Sequence, residues 1–130
     1  KSGMFAEALR AYEAAVKEKE SYESIYGLAT AQAGTGEMLM ALVNFQKARG
    51  KAKGNKARFA CELAIAQCYK VNGNVKKARK HLKVALTLNP TARFDGRYRS
   101  LVGYLESDAE TKAAGDEETP PFFQNILSGL

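Results

Sequence analysis

The sequence predicts an all-α protein built from repeated pairs of helices, and three observations support this fold class. A short pattern occurs three times, in which a Gly is followed by Ala five residues later, a large apolar residue nine later and Ala twelve later. The copies start at Gly3, Gly36 and Gly73, a spacing typical of helical repeat arrays. Apolar residues recur every three or four positions, and alternation with a period of two is rare. Ala supplies much of the 45% apolar content and Trp is absent, which favours close packing of helices.

Apolar stripes predict three helices in the first half of the chain, over residues 4–19, 21–34 and 39–49. Gly34 and Gly36 break the chain between the second and third helices, and a loop rich in Gly and Lys follows the third. The inward positions are Phe5, Ala8, Leu9, Tyr12, Ala15, Val16, Ile25, Leu28, Ala29, Ala33, Leu42, Phe45 and Ala48.

The same reasoning predicts three more helices, over 57–71, 75–88 and 92–106. A tight turn with Gly73 past a helix end separates the first two, and Pro90 stops the second. The third has an apolar side that includes Phe94, Tyr98, Leu101, Val102 and Leu105. Residues 107–119 are acidic and predict a linker. Residues 120–130 form an apolar tail whose large side chains are spaced as on a helix: Phe122, Phe123, Ile126, Leu127 and Leu130.

The repeated pattern resembles the tetratricopeptide repeat. The best copy runs over 59–90, where the signature positions are Ile65, Ala66, Tyr69, Gly73, Ala78, Leu82, Ala85 and Pro90. The copy over 22–52 matches at Leu28, Ala29, Gly36, Ala41, Phe45 and Ala48, with Gln32 in place of the aromatic. The first copy, over 3–19, is only the second helix of a pair, so we expect further sequence before residue 1.

The resemblance implies antiparallel helix pairs stacked in a right-handed superhelix over residues 1–106. It divides this array into four parts. The first is the second helix of one repeat (3–19), followed by repeats over 21–52 and 57–90 and by a capping helix over 92–106. Gly96 and Arg99 occupy apolar positions of the repeat, which is why the last helix is interpreted as a cap.

Tetratricopeptide arrays bind a peptide or helix in a concave groove, and the resemblance therefore implies a protein-binding scaffold. The family pattern carries the groove positions onto Tyr26, Thr30, Ala33, Leu63, Gln67 and Lys70. The paired Asn and Lys or Arg residues that hold the acidic tails of heat-shock chaperones are absent from these positions. A receptor for such tails is therefore not expected.

Charge is strongly segregated along the chain. Between Lys47 and Arg99 there are 15 Lys or Arg residues against two carboxylates, Glu62 and Asp95. This predicts a basic surface that steers acidic partners. Its candidate residues are Lys47, Arg49, Lys51, Lys53, Lys76, Lys77 and Lys80.

Other functions are left as alternatives. Residues 61–88 resemble the last repeat of type III secretion chaperones, and an assembly factor for a pilus or organelle is similar in kind. A basic helical-repeat RNA binder is the third alternative. Aromatic residues are not interleaved with the basic cluster, which disfavours nucleic acid. The apolar tail could pack on this array as a last helix, dock into the groove of its own or another chain, bind a next domain, or mediate self-association.

Little in the sequence points to an enzyme, a metal or a cofactor. Cys61 and Cys68 are about 10 Å apart along one helix, too far for a disulfide, and are expected to be buried thiols. The one histidine, His81, is interpreted as an exposed residue of a Lys-rich helix. No apolar run is long enough to span a membrane. Free thiols suggest a cytoplasmic location.

Overall fold

The computed structural model describes the backbone of residues 2–111 and the side chains of residues 3–103. This part of the chain contains helices and turns without any strand, which confirms the all-α prediction. The helices are α1 (Ser2–Glu18), α2 (Tyr22–Gly34), α3 (Met38–Lys51), α4 (Asn55–Val71), α5 (Val75–Leu88) and α6 (Gly96–Thr111), with a 3₁₀ helix over Pro90–Phe94.

Helices that follow one another in the chain also pack against one another. Three-residue connections join α2 to α3 and α4 to α5, so each pair forms a helical hairpin. The contact between α3 and α4 joins the two hairpins. The outer helices extend this order, because α1 packs on α2, and α6 packs on α4 and α5.

The core consists of alanines at the helix contacts and larger side chains between them. Ala29, Ala41, Ala48, Ala66, Ala78 and Ala85 have no exposed surface, as expected for residues that let two helices approach closely. Phe45 and Leu82 are buried at equivalent places in the two hairpins. The predicted packing of the repeat positions is confirmed in this respect.

The turns inside the two hairpins are built in the same way. Gly36 and Gly73 have φ angles of 92° and 86°, which an L side chain rarely adopts. In each turn the residue after the Gly donates its backbone N–H to a carbonyl in the last turn of the preceding helix. These bonds are 2.8 Å from Glu37 to Gln32 and 2.9 Å from Asn74 to Tyr69.

The start of the last helix differs from its prediction over 92–106. Pro90–Phe94 forms a 3₁₀ turn, and α6 begins only at Gly96. The Asp95 carboxylate fixes this start, because its Oδ1 accepts the backbone N–H of Arg97 at 2.9 Å. Phe94 lies before the cap and is 76% exposed, so its placement on the apolar side of the last helix was wrong.

The end of the last helix also differs from the sequence interpretation. The helix continues through Thr111, so residues 107–111 belong to it and not to a linker. The rest of the predicted linker and the apolar tail over 120–130 lie outside the described residues.

Candidate functional site

Two shallow depressions meet at Tyr26, and together they form the surface that we call the groove. The first has a volume of about 300 Å³ and lies between α2, α4 and α6. The second has a volume of about 360 Å³ and lies between α1 and α2. The first is lined by Tyr26, Ala60, Leu63, Ala64, Gln67, Arg97, Ser100 and Leu101, and the second by Phe5, Ala8, Tyr12, Tyr22, Glu23, Tyr26, Gly27, Thr30 and Ala31.

Tyr26 is held in place at the centre of the groove. Its ring packs edge-on against Phe45, with 5.2 Å between the ring centroids, and lies 5.5 Å from the Tyr22 ring. Burial raises the pKa of the Tyr26 hydroxyl, and the Arg97 guanidinium acts in the opposite direction. Tyr26 is therefore a fixed aromatic wall with a protonated hydroxyl at neutral pH.

Arg97 is positioned at the edge of the first depression by three interactions. Its Nε and Nη2 donate to the Asp95 carboxylate at 3.2 and 3.1 Å, and its guanidinium lies 5.6 Å from the centroid of the Phe59 ring. The Asp95 hydrogen bonds raise the pKa of Arg97, so the group stays charged. A fixed cation thus borders an apolar floor made by Leu63, Ala64 and Leu101.

The second depression exists because α1 packs closely on glycines of α2. A Cβ atom at Gly27 would overlap the Tyr12 ring, and one at Gly34 would overlap the Phe5 ring. Phe5 and Tyr12 are nevertheless 40% and 39% exposed. They therefore contribute apolar surface that α2 covers only in part.

Four of the six groove residues predicted from sequence line these depressions. Tyr26, Leu63 and Gln67 line the first, and Tyr26 and Thr30 line the second. Leu63 is 4% exposed and belongs mostly to the core, and the Thr30 hydroxyl donates to the Tyr26 carbonyl at 2.9 Å. Ala33 and Lys70 are half-buried and line neither depression.

Sequence reasoning missed the contribution of α6, because that helix was interpreted only as a cap. Arg97, Ser100 and Leu101 form one side of the first depression. A signal was available, since the 33-residue spacing between Gly3 and Gly36, counted forward from Gln67, falls on Ser100. The half-buried Ala60 and Ala64 were also missed, because they lie between the signature positions.

His81 is not an exposed residue, and its predicted place on a Lys-rich face was wrong. Its Nδ1 lies 2.6 Å from Oε1 of Glu62, and Arg49 Nη1 donates to Oε2 of Glu62 at 3.1 Å. The side chains of Glu62 and His81 are 6% and 15% exposed. The His81 ring also stacks on Tyr69 at 5.5 Å. This cluster joins α3, α4 and α5, and its burial leaves little room for a substrate.

The predicted basic residues do not form one open surface. Arg49 turns inward to Glu62, and the Lys77 ammonium lies 5.5 Å from the centroid of the Tyr69 ring. Lys51 and Lys53 line a separate depression at the α3–α4 loop, and Lys47 lies 3.6 Å from the Glu20 carboxylate. Five basic residues do share one side of α5, namely Lys76, Lys77, Arg79, Lys80 and Lys83.

The described residues contain neither a cluster of metal-ligating side chains nor a membrane-spanning helix. No group of three or more His, Cys, Asp or Glu side chains within them could hold a metal ion. No described helix is long and apolar enough to cross a membrane.

Comparison with models of protein families, with curated proteins and with solved structures found no match for this chain.

Proposed function

We propose that this protein is a non-catalytic interaction module that binds a partner peptide in the groove. The observation that carries the proposal is the composition of the first depression. Four aliphatic side chains line it, and Tyr26, Gln67 and Arg97 stand at its edge with polar groups. Such a combination suits an apolar anchor residue of a peptide whose polar groups bond to the rim.

We also infer that the helix pairs are stacked as in a tetratricopeptide array. The support is the equivalence of the two hairpins at a distance of 37 residues. The same positive-φ Gly closes each turn, at Gly36 and Gly73. A contact twelve residues apart also recurs in each hairpin. It is a hydrogen bond of 2.8 Å from Asn44 to Gln32 in one, and the stack of Tyr69 on His81 in the other.

Selection from a displayed library of random 12-residue peptides against the 130-residue chain tests the proposed function. We expect the selected peptides to carry large apolar residues and to bind saturably. Ala64→Glu places a charge on the half-buried apolar floor and should weaken binding at least about tenfold, as loss of a hot spot does. Fluorescence anisotropy with a labelled peptide measures the change.

Thr87→Glu is the matched control, because Thr87 is exposed on α5 and lines neither depression of the groove. It should leave peptide binding unchanged. Peptides whose binding ignores Ala64→Glu but is lost on Lys80→Glu would contradict the groove and favour the basic side of α5. Thermal unfolding of each variant, followed by circular dichroism, checks that the fold is retained.

A further inference from the structure

We propose that the apolar segment over residues 120–130 of this same chain is a ligand of the groove, bound within one molecule. The inference rests on the proposed function, because it names an occupant for the same surface. It would make the groove self-occluded, so that a partner peptide must displace the segment before it binds.

The first argument is chemical complementarity. The groove offers apolar surface from the half-buried Ala60 and Ala64, with the buried Leu63 and Leu101 beneath them, and partly exposed aromatic rings from Phe5 and Tyr12. The segment supplies five large apolar side chains and carries no charged side chain: Phe122, Phe123, Ile126, Leu127 and Leu130. Each such side chain gains roughly 1.5–3 kcal/mol on burial, so covering both surfaces is favourable.

The second argument is charge. The acidic residues Asp116, Glu117 and Glu118 precede the segment by a few positions. The fixed guanidinium of Arg97 stands at the edge of the first depression. An apolar segment seated on the floor would bring the carboxylate run close to this cation, which also pairs with Asp95 at 3.1 Å.

The third argument is reach. Helix α6 forms one side of the groove at Leu101 and ends at Thr111, about 15 Å further along its axis. The ten residues over 112–121 can span up to about 33 Å, which is enough to return to the groove. Because a short tether gives an effective concentration in the millimolar range, even a weak contact would be occupied within one molecule.

A nitroxide label at Gln124→Cys tests the inference in the 130-residue chain. The native thiols of Cys61 and Cys68 are buried, so the label is directed to the new cysteine. We expect the amide signals of groove residues such as Ala64 and Ser100 to broaden, whereas those of Lys83 on α5 should not. Replacing Phe122 and Phe123 by Ser in the labelled chain should abolish the broadening.

Two further outcomes of this experiment distinguish binding within one molecule from binding between two copies and from no docking on the groove. In a mixture of nitroxide-labelled ¹⁴N chain and ¹⁵N chain without the nitroxide, the groove signals of the ¹⁵N chain should not broaden. Broadening in this mixture would overturn the intramolecular form and assign the contact to a second copy. If the nitroxide affected the amide signals in all parts of the labelled chain equally, docking on the groove would be overturned altogether.

Failure of this inference and failure of the proposed function are separable by peptide selection. A chain with Phe122→Ser and Phe123→Ser should capture groove peptides at least about tenfold more tightly than the unmodified chain, because it lacks the competitor. Equal capture by both chains, still lost on Ala64→Glu, would overturn the inference and keep the peptide-binding function. Capture that never depends on Ala64 would overturn both.

Discussion

At the scale of single residues, the most consequential group is the buried carboxylate of Glu62. Arg49 from α3 and His81 from α5 both contact it, and the three residues connect three consecutive helices. A buried charge with partners contributes little net stability, whereas a buried charge without them is strongly unfavourable. The cluster is therefore expected to act as a unit.

Removing the partners of Glu62 one at a time and then together tests this expectation. Arg49→Met and His81→Phe should each lower the free energy of unfolding by about 1–2 kcal/mol. The double variant should lose at least about 1 kcal/mol more than the sum, because Glu62 then keeps neither partner. Urea unfolding followed by circular dichroism measures the difference.

The control is a triple variant that adds Glu62→Met to the double variant. It removes the buried charge that the double variant leaves without partners. It should recover most of the lost stability, since an apolar side chain fills the same buried place. Losses that simply add, or a triple variant no more stable than the double, would contradict the coupling. Phe at position 81 preserves an aromatic ring against Tyr69, so packing changes little.

None of this cluster was predictable from the sequence. Glu62 is separated from Arg49 by 13 residues and from His81 by 19, and no local pattern joins them. The presence of five basic residues around His81 on α5 favoured an exposed position. The ring instead faces α4, because its place in the hairpin repeats that of Asn44, which contacts the preceding helix through Gln32.

At the scale of helices and turns, the sequence was far more informative. The bounds of α5 were predicted correctly, and those of the other described helices between α1 and α4 within two residues at each end. Apolar spacing and turn residues act locally, so these features can be inferred without knowing the fold. The start of α6 depends on one cap, Asp95, and the apolar spacing at Phe94 concealed it.

Gly36 has a left-handed backbone conformation that should be strained in an alanine. A Cβ atom added at Gly36 or at Gly50 would lie in open space, but only Gly36 has a positive φ. Gly36→Ala should therefore lower the free energy of unfolding by about 1–2 kcal/mol through backbone strain. Gly50→Ala lies within α3 and should be neutral or stabilising by up to about 1 kcal/mol.

The two variants serve as controls for each other, because they add the same methyl group to open positions. Thermal and urea unfolding of the 130-residue chain compare them directly. Equal changes would contradict the assignment of strain to Gly36.

At the scale of the whole molecule, burial links the two thiols to global stability. Cys61 is fully buried with Ile25 and Ala48, and Cys68 belongs to the larger cluster that runs through the helix stack. Burial raises the pKa of Cys61 to about 11 and that of Cys68 to about 12. The prediction that both are free, buried thiols is confirmed.

The raised pKa values make stability fall at alkaline pH. An unfolded thiol ionises near pH 8.5, so the unfolded chain loses protons from Cys61 and Cys68 at a lower pH than the folded chain. The stabilisation is fully present below about pH 8.5 and is lost progressively as the pH rises toward the folded pKa values. By pH 10 each thiol should account for a loss of about 1–2 kcal/mol in the free energy of unfolding.

Urea unfolding between pH 7 and pH 10 under reducing conditions measures this loss, and a chain with Cys61→Ala and Cys68→Ala is the comparison. The alanine chain is expected to be less stable at pH 7 because of the atoms removed, but to lose less stability on going to pH 10. Only the difference between the two pH dependences belongs to the thiols, since lysines and tyrosines titrate in both chains. Parallel pH dependences would contradict the prediction and would require that both thiols reach solvent without unfolding of the helix stack.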